Sequence, residues 1–109
     1  MKKIIIIIIL ILMICGCSSS KLKIEELLKE DHIIVDVRTK EEYEISHIKN
    51  AINIPYDEIN SMIELEKDKI ILVYCASGNR SKIAHAKLTN LGYETYDLGS
   101  INQINMPKE

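Results

Sequence analysis

The stretch IILVYCASGNRS, residues 70–81, decides the fold. Its first five residues are apolar or aromatic, so they predict a strand that is central in a sheet and buried on both faces. The small and polar residues after Cys75 predict a tight loop, and residues 80–90 predict a helix with one apolar side. A strand that leads through a short loop into a helix is typical of parallel α/β sheets.

The segments on either side of this unit repeat the alternation of strand and helix. Further strands are predicted over residues 33–37, 51–54 and 95–98, and helices over residues 25–29, 40–46 and an apolar stripe at Ile59, Met62 and Ile63. Thr39 and Glu42 have the spacing of a helix-capping box, and Gly92 is placed to end the helix of residues 80–90. We expect one α/β domain with a parallel central sheet and helices on both faces. The polar tail of residues 99–109 is assigned no element, and we expect it to be partly packed on the domain.

The first seventeen residues have the pattern of an export signal. The basic pair Lys2 and Lys3 precedes the apolar residues 4–15, and the apolar run breaks at Gly16 and Cys17. A helix needs roughly 20 apolar residues to cross a bilayer. We therefore expect a signal peptide over residues 1–16, and an ordinary buried helix or an uncleaved signal anchor is the alternative.

The break at residues 14–17 resembles a bacterial lipobox. This resemblance implies that the sulfur of Cys17 carries lipid, with fatty acyl chains such as palmitate, and that cleavage occurs just before it. Two or more acyl chains anchor a protein stably where one is marginal. Residues 17–22 would then be a lipidated tether, and residues 23–109 would be a domain on the extracytoplasmic side of a bacterial envelope membrane.

The cysteine count and the charge limit the classes of function. The chain has three cysteines, but Cys15 leaves with the signal and Cys17 is blocked, so Cys75 has no partner for a disulfide. No Cys and His residues have the spacing of a zinc site, and no metal or other cofactor is expected. The net charge of −2 is evidence against a nucleic-acid partner. We expect a monomer.

Cys75 lies where open α/β sheets bind ligands, at the carboxyl end of the central strand. Backbone N–H groups of the loop and of the next helix converge there and favour negative charge. Only about 3% of an ordinary cysteine, with a pKa of about 8.5, is thiolate at pH 7, and a pKa lower by about two units makes most of it thiolate. This predicts a nucleophilic cysteine, and the alternative is an inert buried thiol.

The loop sequence resembles the active-site loop of single-domain rhodaneses, which often reads Cys-x-x-Gly-x-Arg followed by Ser or Thr. The resemblance extends to residues 35–38, 42–43, 46–55, 91–93 and 98–99. Ser46, Asn50 and Ser100 replace glycines that are common in the family, and Asn tolerates the positive φ that such a glycine provides.

A rhodanese-like fold and sulfurtransferase activity are implied by this resemblance. Cys75 would take a sulfane sulfur from a small anion such as thiosulfate, hold it as a persulfide and pass it to a thiol or cyanide acceptor. The implied substrate-binding residues are Ala76, Ser77, Gly78, Asn79, Arg80 and Ser81. Arg80 would bind the anionic part of the donor. Asp36, Arg38 and His47 are expected to be structural, and His32 and His85 to lie on the surface.

Other functions stay open at this point. A persulfide carrier or binding module with little turnover would use the same residues. A phosphatase or an arsenate reductase also uses a cysteine thiolate and an arginine. Phosphatase loops resemble Cys-x5-Arg, whereas four residues separate Cys75 from Arg80, and the smaller loop suits a single sulfur atom.

Overall fold

The structure is a computed structural model that describes residues 20–109, with side chains from residue 23 onward. The predicted signal peptide and Cys17 lie outside the described residues. No helix within residues 20–109 is long and apolar enough to span a membrane.

Helices and strands alternate along the described chain. The helices are α1 (Ser20–Leu28), α2 (Lys40–Ile45) and α3 (Asn79–Asn90), and the strands are β1 (His32–Asp36), β2 (Ile52–Asn53), β3 (Ile70–Cys75) and β4 (Thr95–Ser100). Single 3₁₀ turns cover Tyr56–Glu58 and Ile101–Gln103. Because α1 begins at Ser20, it includes residues 20–22 of the expected tether.

The four strands form one parallel sheet in the order β2-β1-β3-β4. All six residues of β3 are buried, and this strand pairs with β1 on one side and β4 on the other. The carboxyl ends of parallel strands lie at one edge of a sheet, so Cys75 is placed at the middle of that edge.

The sheet is covered on both faces, as the alternation of apolar side chains along β1 and β3 requires. On one face Ile34, Leu72 and Tyr74 pack with Leu27 of α1 and with Ile48, Ile101 and Ile104. On the other face Val35, Ile71 and Val73 pack with Ala84 and Leu88 of α3. The predicted α/β fold with helices on both faces is confirmed.

The predicted capping box is present at the start of α2. The backbone N–H of Glu42 donates to Thr39 Oγ1 at 3.2 Å, and the Thr39 N–H donates to Glu42 Oε1 at 3.3 Å. Because these bonds occupy N–H groups that have no partner inside the helix, they fix its first turn. They also fix the direction of the Glu42 side chain.

Two residues with positive φ also agree with the sequence analysis. Gly92 has φ +96° and follows α3, where its N–H donates to the Thr89 carbonyl at 3.0 Å and the Tyr93 N–H donates to the Leu88 carbonyl at 3.1 Å. This pair of bonds ends the helix as a Schellman motif. Asn50, at a position of common glycine, has φ +72°.

The prediction of a helix around Ile59, Met62 and Ile63 is wrong. Residues 59–69 form turns and irregular backbone after the 3₁₀ turn. The side chain of Asn60 accepts from the Met62 N–H at 2.8 Å and donates to the Glu58 carbonyl at 3.2 Å. Such local bonds compete with those of a helix. Ile59 is buried and Ile63 packs beside it in the core, whereas Met62 is 84% exposed, so the three residues do not share one helical face.

The polar tail packs back onto the segment that follows α2. Ile101 and Ile104 are buried in the core beside Ile48. Ile48 forms an isolated antiparallel bridge with Lys108, and the Glu109 N–H donates to the His47 carbonyl at 2.8 Å. The tail therefore closes one layer of the core.

A buried charged cluster connects β1, β3 and the segment after α2. Asp36 is fully buried, and both of its carboxylate oxygens accept from Arg38, with Nε 3.0 Å from Oδ1 and Nη2 2.6 Å from Oδ2. The Tyr74 hydroxyl donates to Asp36 Oδ2 at 2.8 Å and accepts from the Ile48 N–H at 3.0 Å. Burial raises the pKa of Tyr74, so its hydroxyl keeps the proton that it donates. These contacts support the expected structural role of Asp36 and Arg38.

Replacing Tyr74 with Phe should lower the free energy of unfolding by about 1–3 kcal/mol, because the Ile48 N–H and Asp36 each lose a buried partner. Urea denaturation measures the change. Tyr96→Phe is the matched control, since its hydroxyl bonds only the exposed Glu94 carboxylate, at 2.6 Å. We expect less than about 0.5 kcal/mol for the control. Equal losses in the two variants would contradict the role given to the buried hydroxyl.

Candidate functional site

The loop at the end of β3 is short because α3 begins only four positions after Cys75, at Asn79. Gly78 precedes the helix with φ +98°, a left-handed conformation that side chains disfavour. A Cβ atom at this position would meet no atom within 4 Å, so the backbone conformation, and not lack of space, calls for glycine. This turn directs the loop amides back toward Cys75.

The sulfur of Cys75 is enclosed by hydrogen-bond partners from the loop and from the first turn of α3. Cys75 is fully buried, and the Gly78 N–H donates to its Sγ at 2.9 Å. The thiol donates to Ser81 Oγ at 3.5 Å, and the Ser81 hydroxyl donates to the Gly78 carbonyl at 3.1 Å. Once the thiol has lost its proton, the hydroxyl can turn and donate to Sγ instead. Ser81 is itself fully buried. We call this group of donors around Sγ, from residues 77, 78 and 81, the sulfur cradle.

Two opposed effects act on the pKa of Cys75. Burial, the largest single effect, raises it, whereas hydrogen bonds from the Ser81 hydroxyl and from the amides of Ser81, Gly78 and Ser77 lower it. The hydrogen bonds together outweigh burial, so the thiol pKa falls below its ordinary value. A buried cysteine in this cradle is thus a better source of thiolate, the form that acts as a nucleophile.

Arg80 forms an ion pair with Glu42 across the carboxyl edge of the sheet. Its Nη1 and Nη2 donate to Oε1 and Oε2 of Glu42 at 2.7 and 3.0 Å. The bonds to Arg80 are the main cause that lowers the pKa of Glu42 to about 2. The pKa of Arg80 is raised mainly by Glu42 and, to a smaller extent, by the charge of Cys75.

The sequence analysis placed Glu42 only in the capping box and in a stretch of family resemblance, and it missed this contact with the loop. Local spacing shows the cap, but nothing in the sequence pairs two residues that lie 38 positions apart. The Glu42-Tyr43 pair within the resemblance was the one available signal.

The remaining predicted site residues lie around the rim of the loop. The Ala76 carbonyl accepts from the Ser100 hydroxyl at 2.6 Å, while Ser77 and Asn79 are exposed.

The three histidines each form a hydrogen bond with a backbone carbonyl. His32 bonds the carbonyl of Glu30 at 2.7 Å, His47 that of Tyr43 at 2.8 Å and His85 that of Thr95 at 3.0 Å. The cradle therefore depends on backbone amides and one hydroxyl to stabilise the thiolate.

Comparison with known proteins gives a consistent set of relatives. The family model for the rhodanese-like domain matches residues 20–105. The thiosulfate sulfurtransferase PspE of Escherichia coli is 36% identical over 78 residues, which cover 68% of this chain and 75% of that protein. A solved structure of a rhodanese with anions from E. coli has a TM-score of 0.65 and 32% identity, covering 72% of this chain and 96% of that one.

Longer proteins also contain a similar segment. The adenylyltransferase and sulfurtransferase uba4 of Ogataea parapolymorpha is 43% identical over 63 residues, which cover 56% of this chain and 16% of that protein. Across this protein and two further curated relatives, the chain spans only 16–17% of their length. These matches concern one domain of much larger proteins.

Replacing Ser81 with Ala should raise the pKa of Cys75 by about one unit, because a hydrogen bond to a charged group is worth about 1.5–3 kcal/mol and this contact is long. The pH dependence of alkylation by iodoacetamide measures the pKa. Ser77→Ala is the control, since Ser77 contributes to the cradle through its amide. If the two variants titrate alike, the Ser81 hydroxyl does not stabilise the thiolate.

Proposed function

The chain belongs to the rhodanese-like domain family, and from this premise we propose that it transfers sulfane sulfur through a persulfide on Cys75. The observation that carries the proposal is the sulfur cradle, in which a fully buried Sγ accepts from the Gly78 amide at 2.9 Å and has its pKa lowered. The name of the E. coli relative, a thiosulfate sulfurtransferase, supports the same chemistry.

The proposed reaction has two steps, each an attack of a nucleophile on sulfur. The Cys75 thiolate attacks the outer sulfur of thiosulfate. A new S–S bond forms, the bond to the SO₃ group breaks, and sulfite leaves with the electron pair. A thiol or cyanide then attacks the outer sulfur of the persulfide, which gives a new persulfide or thiocyanate and regenerates the Cys75 thiolate.

The backbone amides of residues 77–81 are suited to these steps because the negative charge stays on sulfur throughout. The outer sulfur of the persulfide carries the charge that Sγ loses, and oriented N–H groups stabilise an anion without a proton transfer. The loop from Cys75 to Arg80 has one residue fewer than the Cys-x5-Arg loop of phosphatases. The shorter loop favours a cradle that holds one sulfur atom over a wider ring that surrounds a phosphate group.

Incubation of the full-length chain with thiosulfate should add one sulfur atom to the peptide that contains Cys75, as measured by mass spectrometry without reductant. Cyanide should then remove that sulfur and release thiocyanate. Cys75→Ser should abolish loading, since an alcohol is a much weaker nucleophile for sulfur. Loading without turnover would favour a persulfide carrier, and absence of loading from both thiosulfate and a monoanionic thiosulfonate would exclude both functions.

A lipid anchor at Cys17 is a separate proposal, supported by the lipobox-like break after the apolar run of residues 4–15. Expression in a bacterial host with labelled palmitate should label the unmodified chain. Cys17→Ala should lose the label, and Cys15→Ala, one residue from the break, should keep it. An unlabelled and uncleaved chain would instead support the signal anchor.

A further inference from the structure

Two ion pairs lie near the carboxyl ends of the strands, and each is neutral as a pair. Asp36 pairs with Arg38, with 2.6 Å between Oδ2 and Nη2, and Glu42 pairs with Arg80, with 2.7 Å between Oε1 and Nη1. The two pairs and the Cys75 thiolate together carry a net charge of −1. The guanidinium on the loop is therefore not an uncompensated positive charge for an anionic donor.

Glu42 is held firmly in this position. Its Oε1 accepts from the Thr39 hydroxyl at 3.0 Å and from the Thr39 amide at 3.3 Å, in addition to Arg80. Its pKa of about 2 keeps the carboxylate ionised at any pH at which the protein would work. The Glu42 side chain is 34% exposed and that of Arg80 26% exposed, so a ligand that reaches Arg80 also approaches the carboxylate.

A negative charge at this place acts differently on donors of different charge. Coulomb energy is proportional to the charge of the ligand, so Glu42 opposes a dianion with twice the free energy with which it opposes a monoanion at the same site. The amides of the cradle, in contrast, are aimed at Sγ and its single charge.

We propose that Glu42 is a specificity-determining residue that makes the site prefer sulfane-sulfur donors with one negative charge, such as thiol persulfides and thiosulfonates, over dianionic thiosulfate. This inference rests on the proposed sulfur transfer by Cys75. With a thiosulfonate, the Cys75 thiolate bonds to the outer sulfur, the bond between that sulfur and the sulfonyl group breaks, and a sulfinate leaves with the electron pair. Total charge is conserved at −2, and no oxidant or reductant is needed.

The matched donors for a test are thiosulfate and methanethiosulfonate, which differ mainly by a methyl group in place of one charged oxygen. The variant is Glu42→Gln in the full-length chain, because Gln also serves in a capping box and keeps an oxygen for Arg80. Glu41→Gln is the control, since Glu41 is an exposed neighbour in the same helical turn. The readout is kcat/KM for thiocyanate formation with each donor at saturating cyanide.

Glu42→Gln should raise kcat/KM about threefold for methanethiosulfonate and about ninefold for thiosulfate, since the effect on the dianion is the square of that on the monoanion. The thiosulfate-to-thiosulfonate ratio should thus rise about threefold, and Glu41→Gln should leave it unchanged because charges at exposed sites are screened. Partial unfolding lowers both rates equally and cancels in the ratio.

An unchanged ratio in Glu42→Gln, or an equal fall in both rates, would overturn the inference and leave Glu42 as a positioning residue for Arg80. Failure of the unmodified protein to load sulfur on Cys75 from either donor would be a different result. It would reject the proposed sulfur transfer itself and would be evident before any variant is compared.

Discussion

The reactivity of the site depends on two opposed effects on the pKa of Cys75, the burial of its sulfur and the hydrogen bonds that the sulfur accepts. Burial alone would favour the neutral thiol. The turn at Gly78, with φ +98°, reverses the backbone so that its own amide lies 2.9 Å from Sγ, and the first turn of α3 adds Ser81. Because the loop is so short, the end of β3, the left-handed Gly78 and the start of α3 together form the sulfur cradle.

The rest of the fold keeps the sulfur cradle in a fixed position. β3 is buried along its full length between β1 and β4, so its carboxyl end cannot shift without disturbing the centre of the sheet. The hydroxyl of Tyr74, the residue before the cysteine, bonds Asp36 of β1 and the Ile48 amide of the next segment. The cost of burying the charge of Asp36 is offset by Arg38, and no buried side-chain N or O atom within residues 23–109 lacks a hydrogen-bond partner.

Local signals in the sequence predicted the parts of the structure that depend on neighbouring residues. The apolar run of β3, the capping box of Thr39 and the terminating Gly92 each depend on contacts within a few positions, and all three were found. The helix at residues 59–63 failed because one side chain, that of Asn60, bonds its own backbone neighbours. The Glu42–Arg80 pair and the packing of the tail on residues 46–50 depend on contacts across 38 or more positions, which spacing alone does not show.

The structure of the full chain after loading with thiosulfate tests the central claim most directly. The account predicts a persulfide on Cys75 whose outer sulfur lies within about 3.5 Å of backbone N atoms of residues 77–81, a distance typical of hydrogen bonds to sulfur. An outer sulfur that points away from these amides, or a loaded sulfur on another residue, would contradict it.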